Sequence, residues 1–391
     1  MKTILLISPY WKEDHRWMAS SVKLAELWQK LGYRVVVACM GKPALSCQPL
    51  ALRLRSGRAV SNPERVSETL TIYRKKDFFL PDPWNYGIAF GFSSMVRNII
   101  EQEKPEIIVV NKILFWSSLS IIALRLRGVR VLLMTDTLVG MTWWPRGLLP
   151  RIGAFLYAWT LGWLILLLAK RVVFFHPQLE KLLKRLGIEK KSVVIPTGID
   201  AAHWPVGVRE QGRDDLTVTY VGRLESVKGV SDFLAASTSL LPEYPNLCLQ
   251  VAGWFRPDHP LVSQYQDHVR FLGLVSDIGP LIRKTDIFVL PSYSEGLSNA
   301  LMEAMASGCA CIASDTGGNR FLIKNGVSGF LFPPGDREAL TAHIRRLIAD
   351  SAKRRALGEG ARRRIEEKFD WKIVGEQYRS LFREFLLQSS L

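Results

Sequence analysis

TDIFVLPSYSEGLSNALMEAMASG (Thr285–Gly308) reads in three parts. Ile287–Leu290 is a short, continuous apolar run, the mark of a strand covered on both faces of a parallel sheet. Pro291–Gly296 follows as a loop, and helical spacing starts near Leu297 and runs to Ser307, with Gly308 as its stop. A helix that opens beyond a buried strand leaves its first amides unpaired and partially positive, so its tip suits an anion such as phosphate. Two carboxylates flank that tip, Glu295 in the loop and Glu303 almost two turns in. Acids on a surface helix are ordinary. An acid in a loop at the end of a buried strand, in a chain with a formal charge of +16, asks for a partner.

The rest of the composition narrows the class. With 391 residues, 48% of them hydrophobic, and 29 glycines spread along it, the chain is globular and long enough for two domains. Cys39, Cys47, Cys248, Cys309 and Cys311 make no CxxC and no His-paired spacing, so reduced thiols in a cytosolic compartment are expected. The six histidines are equally scattered, and no zinc site is expected. The start MKTILLISPYWKEDHRW has a short apolar run followed by charges, so it reads as a first strand, Thr3–Ile7, rather than a signal peptide. The surplus of positive charge points to an anionic partner: nucleic acid, an acidic membrane surface or phosphorylated ligands.

Strand and helix patterns alternate along the whole chain. KTILLI, GYRVVVACMG, KPEIIVVNK, VRVLLMTDT and KRVVFFHP are the strands of a first α/β unit ending near Gly187. LTVTYVG, LCLQVAGW, VRFLGL, TDIFVLPS and CACIASD are those of a second. The polar segment Ala201–Asp215 is the candidate linker. The expected architecture is two doubly wound domains facing across a cleft, with binding at the carboxyl ends of their strands.

Ile152–Ala169 stands apart. Its 18 residues carry no charge, and Arg146, Arg151, Lys170 and Arg171 flank them. The length allows a membrane span, but the segment lies between two strands of one sheet, which spanning would split. Its lack of a polar stripe, with Trp143, Trp144, Trp159 and Trp163 close by, favours a helix lying in the membrane interface over one buried between domains.

YVGRLESVKG (Tyr220–Gly229) opens the second unit with the same strand, Gly, loop geometry and supplies Arg223 and Lys228. Cations converging there would neutralise a diphosphate as it leaves and gains charge. Together with VIPTGID (Val194–Asp200), the Glu-x7-Glu block, Gly317–Gly318, NGVSGFLFPPGD (Asn325–Asp336) and the closing FDWKIVGEQYRSLF, these motifs cover nearly the full chain. The combination resembles the retaining glycosyltransferases of the GT-B superfamily, family-four type. Glu-x7-Glu alone would be a weak signal.

The resemblance implies that Glu295 meets the hydroxyls of the transferred sugar and Glu303 the ribose of its nucleotide carrier. It places Arg223 and Lys228 on the diphosphate, with Gly222, Gly296, Leu297 and Ser298 beside it as donor-binding positions. It also implies retention of anomeric configuration without a metal or other cofactor, and a last helix that returns to the first domain. The expected domains are 1–190 for the acceptor, with an interfacial segment near 143–171, 191–370 for the donor, and 371–391 for the returning helix. Three departures stand out. SPYWKEDHRW replaces the usual Gly-Gly turn after the first strand, Phe321 stands where an acid is usual after the Gly pair, and Asp136 stands where a histidine commonly follows its strand. No other histidine is expected nearby to replace it. Asp136 either stands near the anomeric carbon, positioning the acceptor hydroxyl or stabilising positive charge on the sugar, or merely caps its own turn.

The expected activity is therefore transfer of a sugar from a nucleotide-diphosphate-sugar to a lipid-linked or glycolipid acceptor, on the cytoplasmic side of an anionic membrane. A soluble acceptor, or a nucleotide-sugar epimerase of related fold, are the enzymatic alternatives. A basic protein that binds nucleic acid fits the charge, but it leaves the greasy helix and the diphosphate site without a task.

Overall fold

The computed structural model describes residues 1–391 except 13–18, 42–62, 81–85, 139, 143, 145–147, 207–214, 257 and 388–391. Cys47, Trp143, Arg146 and most of the candidate linker therefore lie outside the described residues. The chain forms two compact units, Met1–Thr197 with Gly375–Leu391, and Gly198–Val374.

The first unit is an eight-stranded sheet. Its strands are β1 (Thr3–Ile7), β2 (Arg34–Met40), β3 (Glu64–Ser67), β4 (Leu70–Lys75), β7 (Ile107–Asn111), β8 (Leu132–Thr135), β9 (Arg171–Phe174) and β10 (Ser192–Val194); β5 (Phe78–Leu80) and β6 (Tyr86–Ile88) make a separate hairpin. The order is β10-β9-β8-β7-β1-β2-β4-β3, parallel throughout except for the edge pair β3–β4. Each predicted strand of this half is present, and each reads apolar because both faces are covered: Ile4 through Ile7 and Val35 through Met40 are fully buried. The sequence reading missed β4, whose LTIYRK ends in charges, and the short β3, β5 and β6. The unit boundary falls at Thr197, beyond the expected residue 190, because β10 pairs in parallel with β9 and belongs to this sheet.

The helix Trp371–Leu387 enters the first unit at Gly375. Val374, Tyr378, Leu381, Phe382 and Phe385 recur at helical spacing and are buried. Tyr378 and Phe382 meet Trp28 edge to face, with ring centroids 5.9 and 5.5 Å away.

The second unit holds β11 (Thr217–Val221), β12 (Cys248–Ala252), β13 (Val269–Phe271), β14 (Ile287–Leu290), β15 (Ala310–Ser314) and β16 (Phe330–Phe332) in one parallel sheet, ordered β13-β12-β11-β14-β15-β16. This is the 3-2-1-4-5-6 order of a dinucleotide-binding fold, whose strand order reverses between β11 and β14. The loops after those two strands flank the point of reversal, and they are YVGRLESVKG and PSYSEGLS. Both units are Rossmann-like, as expected from the alternating pattern. The four described cysteines, Cys39, Cys248, Cys309 and Cys311, are free.

Candidate active site

In the second unit three loops close on one another through bare backbone. The Tyr293 amide donates to Val227 O at 2.9 Å, and the Gly318 amide donates to Gly296 O at 3.1 Å. A Cβ at Gly229 would stand 2.0 Å from Pro291 O, and one at Gly317 only 1.8 Å from Glu295 O. Gly317 also holds a φ of +44°, which side chains rarely adopt. The Gly-Gly pair is thus what allows the Glu295 loop to sit where it does. Gly317→Ala should destabilise the protein by about 2 kcal/mol or more, read by chemical denaturation. A loss below ~0.5 kcal/mol would show that the loops are not tightly locked.

That packing delivers Glu295 to Lys228. The ammonium lies 2.8 and 3.1 Å from the two carboxylate oxygens, and the side chains are only 12% and 21% exposed. Arg223 is elsewhere engaged: its guanidinium is 54% exposed and sits 2.8 Å from Glu225. Of the two cations expected on one ligand, the structure brings only Lys228 to Glu295. The difference is local, because Glu225 lies within reach of an Arg223 side chain that runs along the surface.

The helix starts at Asn299, slightly later than expected, and ends at Ala306. Ser298 is its N-cap, accepting from the Leu301 amide at 3.3 Å, so Leu297 belongs to the loop. Glu303 sits in the second turn and is buried. Gly222 follows β11 and lies against Gly253, where an added Cβ at Gly253 would meet Gly222 O at 2.0 Å. Trp254 follows and stays partly exposed rather than filling the core. Phe321, at the position of the missing acid, stacks edge to face on Phe369 at 5.3 Å.

In the first unit, the strands on one side of β1 end in a polar cluster. Asp136 follows β8, and its carboxylate lies 2.6 Å from the Lys112 ammonium, which follows β7. Lys112 has a φ of +75°, an uncommon backbone for a lysine, and its amide still pairs with Met134 O at 2.7 Å. Burial would raise the Asp136 carboxyl, but the Lys112 charge and its hydrogen bond outweigh that and hold it below the usual aspartate range. His176, two residues past β9, also faces Asp136 electrostatically. It is buried, and desolvation holds its imidazole below the ordinary histidine range, while its Nε2 has no hydrogen-bond partner. The expectation that no histidine stands near Asp136 is therefore corrected. β8 and β9 pair in register with Thr135 opposite Phe174, which brings together residues 40 positions apart.

The turn after β1 is structural. Ser8 donates to Tyr10 O at 2.8 Å and Tyr10 donates to Asp77 at 2.7 Å, and Ser8, Tyr10 and Trp11 are buried. A cavity of about 390 Å³ lined by Lys2, Tyr33, Arg379 and Arg383 lies at the opposite, amino end of β1.

Residues 208–364 match the family model described as glycosyl transferases group 1, and residues 20–203 match glycosyltransferase family 4. The chain is 34% identical over 188 residues to a glycogen synthase of Mycobacterium tuberculosis, covering 46% of this chain and 45% of that protein. It is 31% identical over 195 residues to a phosphatidyl-myo-inositol mannosyltransferase of Mycolicibacterium smegmatis, covering 48% and 50%. The chain thus spans about half the length of these curated relatives. Among solved structures, a sucrose-phosphate synthase from Thermosynechococcus elongatus superposes with a TM-score of 0.78 at 22% identity, over 99% of this chain and 100% of the other. That likeness carries the fold.

Proposed function

Since the chain belongs to the glycosyl transferases group 1 and has the GT-B fold, we propose that it moves a sugar from a nucleotide-diphosphate-sugar to a lipid-linked or glycolipid acceptor. The second unit holds the donor, and the first receives the acceptor. The observation that carries the reading is the Lys228–Glu295 pair at the reversal of strand order, beside a capped helix tip.

There the diphosphate takes the ammonium of Lys228 and the amides at Gly296, Leu297 and Ser298, while Glu295 turns to the hydroxyls of the sugar. Glu303 takes the ribose hydroxyls, and Gly222 lets the carrier lie close to the backbone. Arg223, half exposed, swings from Glu225 to the diphosphate once the donor is bound. The acceptor oxygen bonds to the anomeric carbon as the bond to the diphosphate breaks, and the hydroxyl proton passes to the leaving oxygen. Entry and departure on the same face retain configuration. Fixed cations and dipoles stabilise the departing charge, a task that a divalent metal serves elsewhere.

The test is a thermal-shift panel of UDP- and GDP-sugars, each with and without EDTA. A ligand at 100 times its Kd stabilises the native state by about 2.7 kcal/mol. One nucleotide series should raise Tm by several degrees, and EDTA should change neither that shift nor turnover. Abolition of turnover by EDTA would sink the metal-free part of the reading. Conversion of the donor sugar with no acceptor present would favour the epimerase.

A further inference from the structure

The helical segment Leu148–Leu168 is built inside out. Its inward stripe is mostly small: Ala154, Ala158 and Gly162 are buried at four-residue spacing. The backbone of Gly140 runs so close that a Cβ there would come within 2.3 Å of Ala154 O and 2.9 Å of the Ala158 Cβ. Apart from Ile165 and Leu166, which are buried in the core near its end, the segment's large aliphatic side chains lie outward. Leu148, Ile152, Phe155, Trp163, Leu164 and Leu167 are all exposed. Thr160, on the outer side, donates its hydroxyl to Leu156 O at 2.6 Å and so satisfies itself. An ordinary surface helix hides its large residues and shows polar ones. Only 28% of the most apolar stretch of this helix is buried, so it is not a core helix.

Charge identifies what covers the stripe. Residues 137–179 contain Arg146, Arg151, Lys170 and Arg171 and no Asp or Glu. Arg185 sits over the Trp159 ring at 4.8 Å. Past this stretch Glu180 and Glu189 pair with Lys184, and Glu384 pairs with Arg171, so the acids at its far end are already engaged by this chain's own cations. An anionic lipid surface supplies both acyl chains for the stripe and phosphates for the rim. The 21 residues are long enough to cross a bilayer, yet they connect to β9, which pairs directly with β8 on the near side. Crossing would tear that sheet.

We infer that Leu148–Leu168 docks the first unit onto an anionic bilayer, lying flat with Leu148, Ile152, Phe155 and Leu164 among the acyl chains. This deepens the transfer reading by naming the surface from which a lipid acceptor is drawn. Binding is measured without turnover, so its failure would leave the donor chemistry standing.

The experiment is flotation of the full chain with phosphatidylcholine vesicles containing or lacking phosphatidylglycerol. The wild type should float with the anionic vesicles. Ile152→Ser/Phe155→Ser/Leu164→Ser should float at least tenfold less while keeping the wild-type Tm, since all three side chains are exposed. Arg151→Glu/Lys170→Glu, which leaves the stripe intact, should lose the preference for phosphatidylglycerol. The inference is overturned if the wild type stays in solution with both vesicles, or if the triple variant floats equally well. A wild-type dimer that the triple variant dissolves, with no flotation, would also overturn it and assign the stripe to a second copy.

Discussion

Lys228→Met is expected to lower turnover by on the order of 10²-fold or more, because in the transfer reading it removes a fixed charge aimed at the leaving group. The half-buried Lys228–Glu295 pair, 2.8 Å apart, gives the result a second signature. Removing the cation leaves Glu295 without this partner in a mostly enclosed site, which costs more than the pair itself contributes. Stability therefore falls alongside rate. Glu295→Gln in the same background should recover much of the stability and none of the rate. If the double variant instead regained turnover, Lys228 would be a structural counter-ion to Glu295 and not a diphosphate group. Arg223→Ala should cost less than Lys228→Met, since its guanidinium is mostly solvated and paired with Glu225. Steady-state rates at saturating donor separate the three.

The second unit was legible in the sequence because its site is made of neighbours. Glu295, Gly296 and Ser298 follow one strand and Lys228 follows another, so a strand–loop–helix pattern locates them before any packing is known. What the pattern does not give is side-chain direction. Arg223 and Lys228 are alike in sequence, yet one turns to Glu225 and the other to Glu295. The exposed face of Leu148–Leu168 was half legible. Composition showed the apolar run, but only the close approach of Gly140 shows that small residues took the inside. Charged ends hid β4, and three residues are too few for β16 to register as a period.

The first unit's cluster was hidden for a different reason. Lys112, Asp136 and His176 lie one, one and two residues past β7, β8 and β9, and only parallel register makes them neighbours. A usable signal existed: NK, TD and FH each put a titratable residue just beyond a buried strand of one sheet.

That placement carries a pH prediction for Asp136. In the transfer reading Asp136, as a carboxylate, accepts a hydrogen bond from the acceptor and orients it. Asp136→Asn is then expected to lower turnover about 10²-fold with little change in donor affinity. Lys112 acts through Asp136. Burial alone would push the carboxyl up, and the ammonium at 2.6 Å brings it down below the ordinary aspartate value. A depressed folded-state value means the ionised form, with the stability it contributes, is fully present above the unfolded value of about 3.9. Both are lost only as pH falls through the lower folded value. Lys112→Met removes the largest charge opposing burial, so the acid limb of the turnover profile should move to higher pH. Lys112→Arg keeps the charge and should keep the limb in place, and His176→Gln should move it less than Lys112→Met does. Among the described residues the charged groups acting on Asp136 are Lys112 and His176, and these variants address both. An acid limb that stays fixed in Lys112→Met would separate Asp136 from the step that limits turnover. Asp136 would then be the cap of its own turn, holding the Thr137 amide at 3.0 Å and nothing of the acceptor.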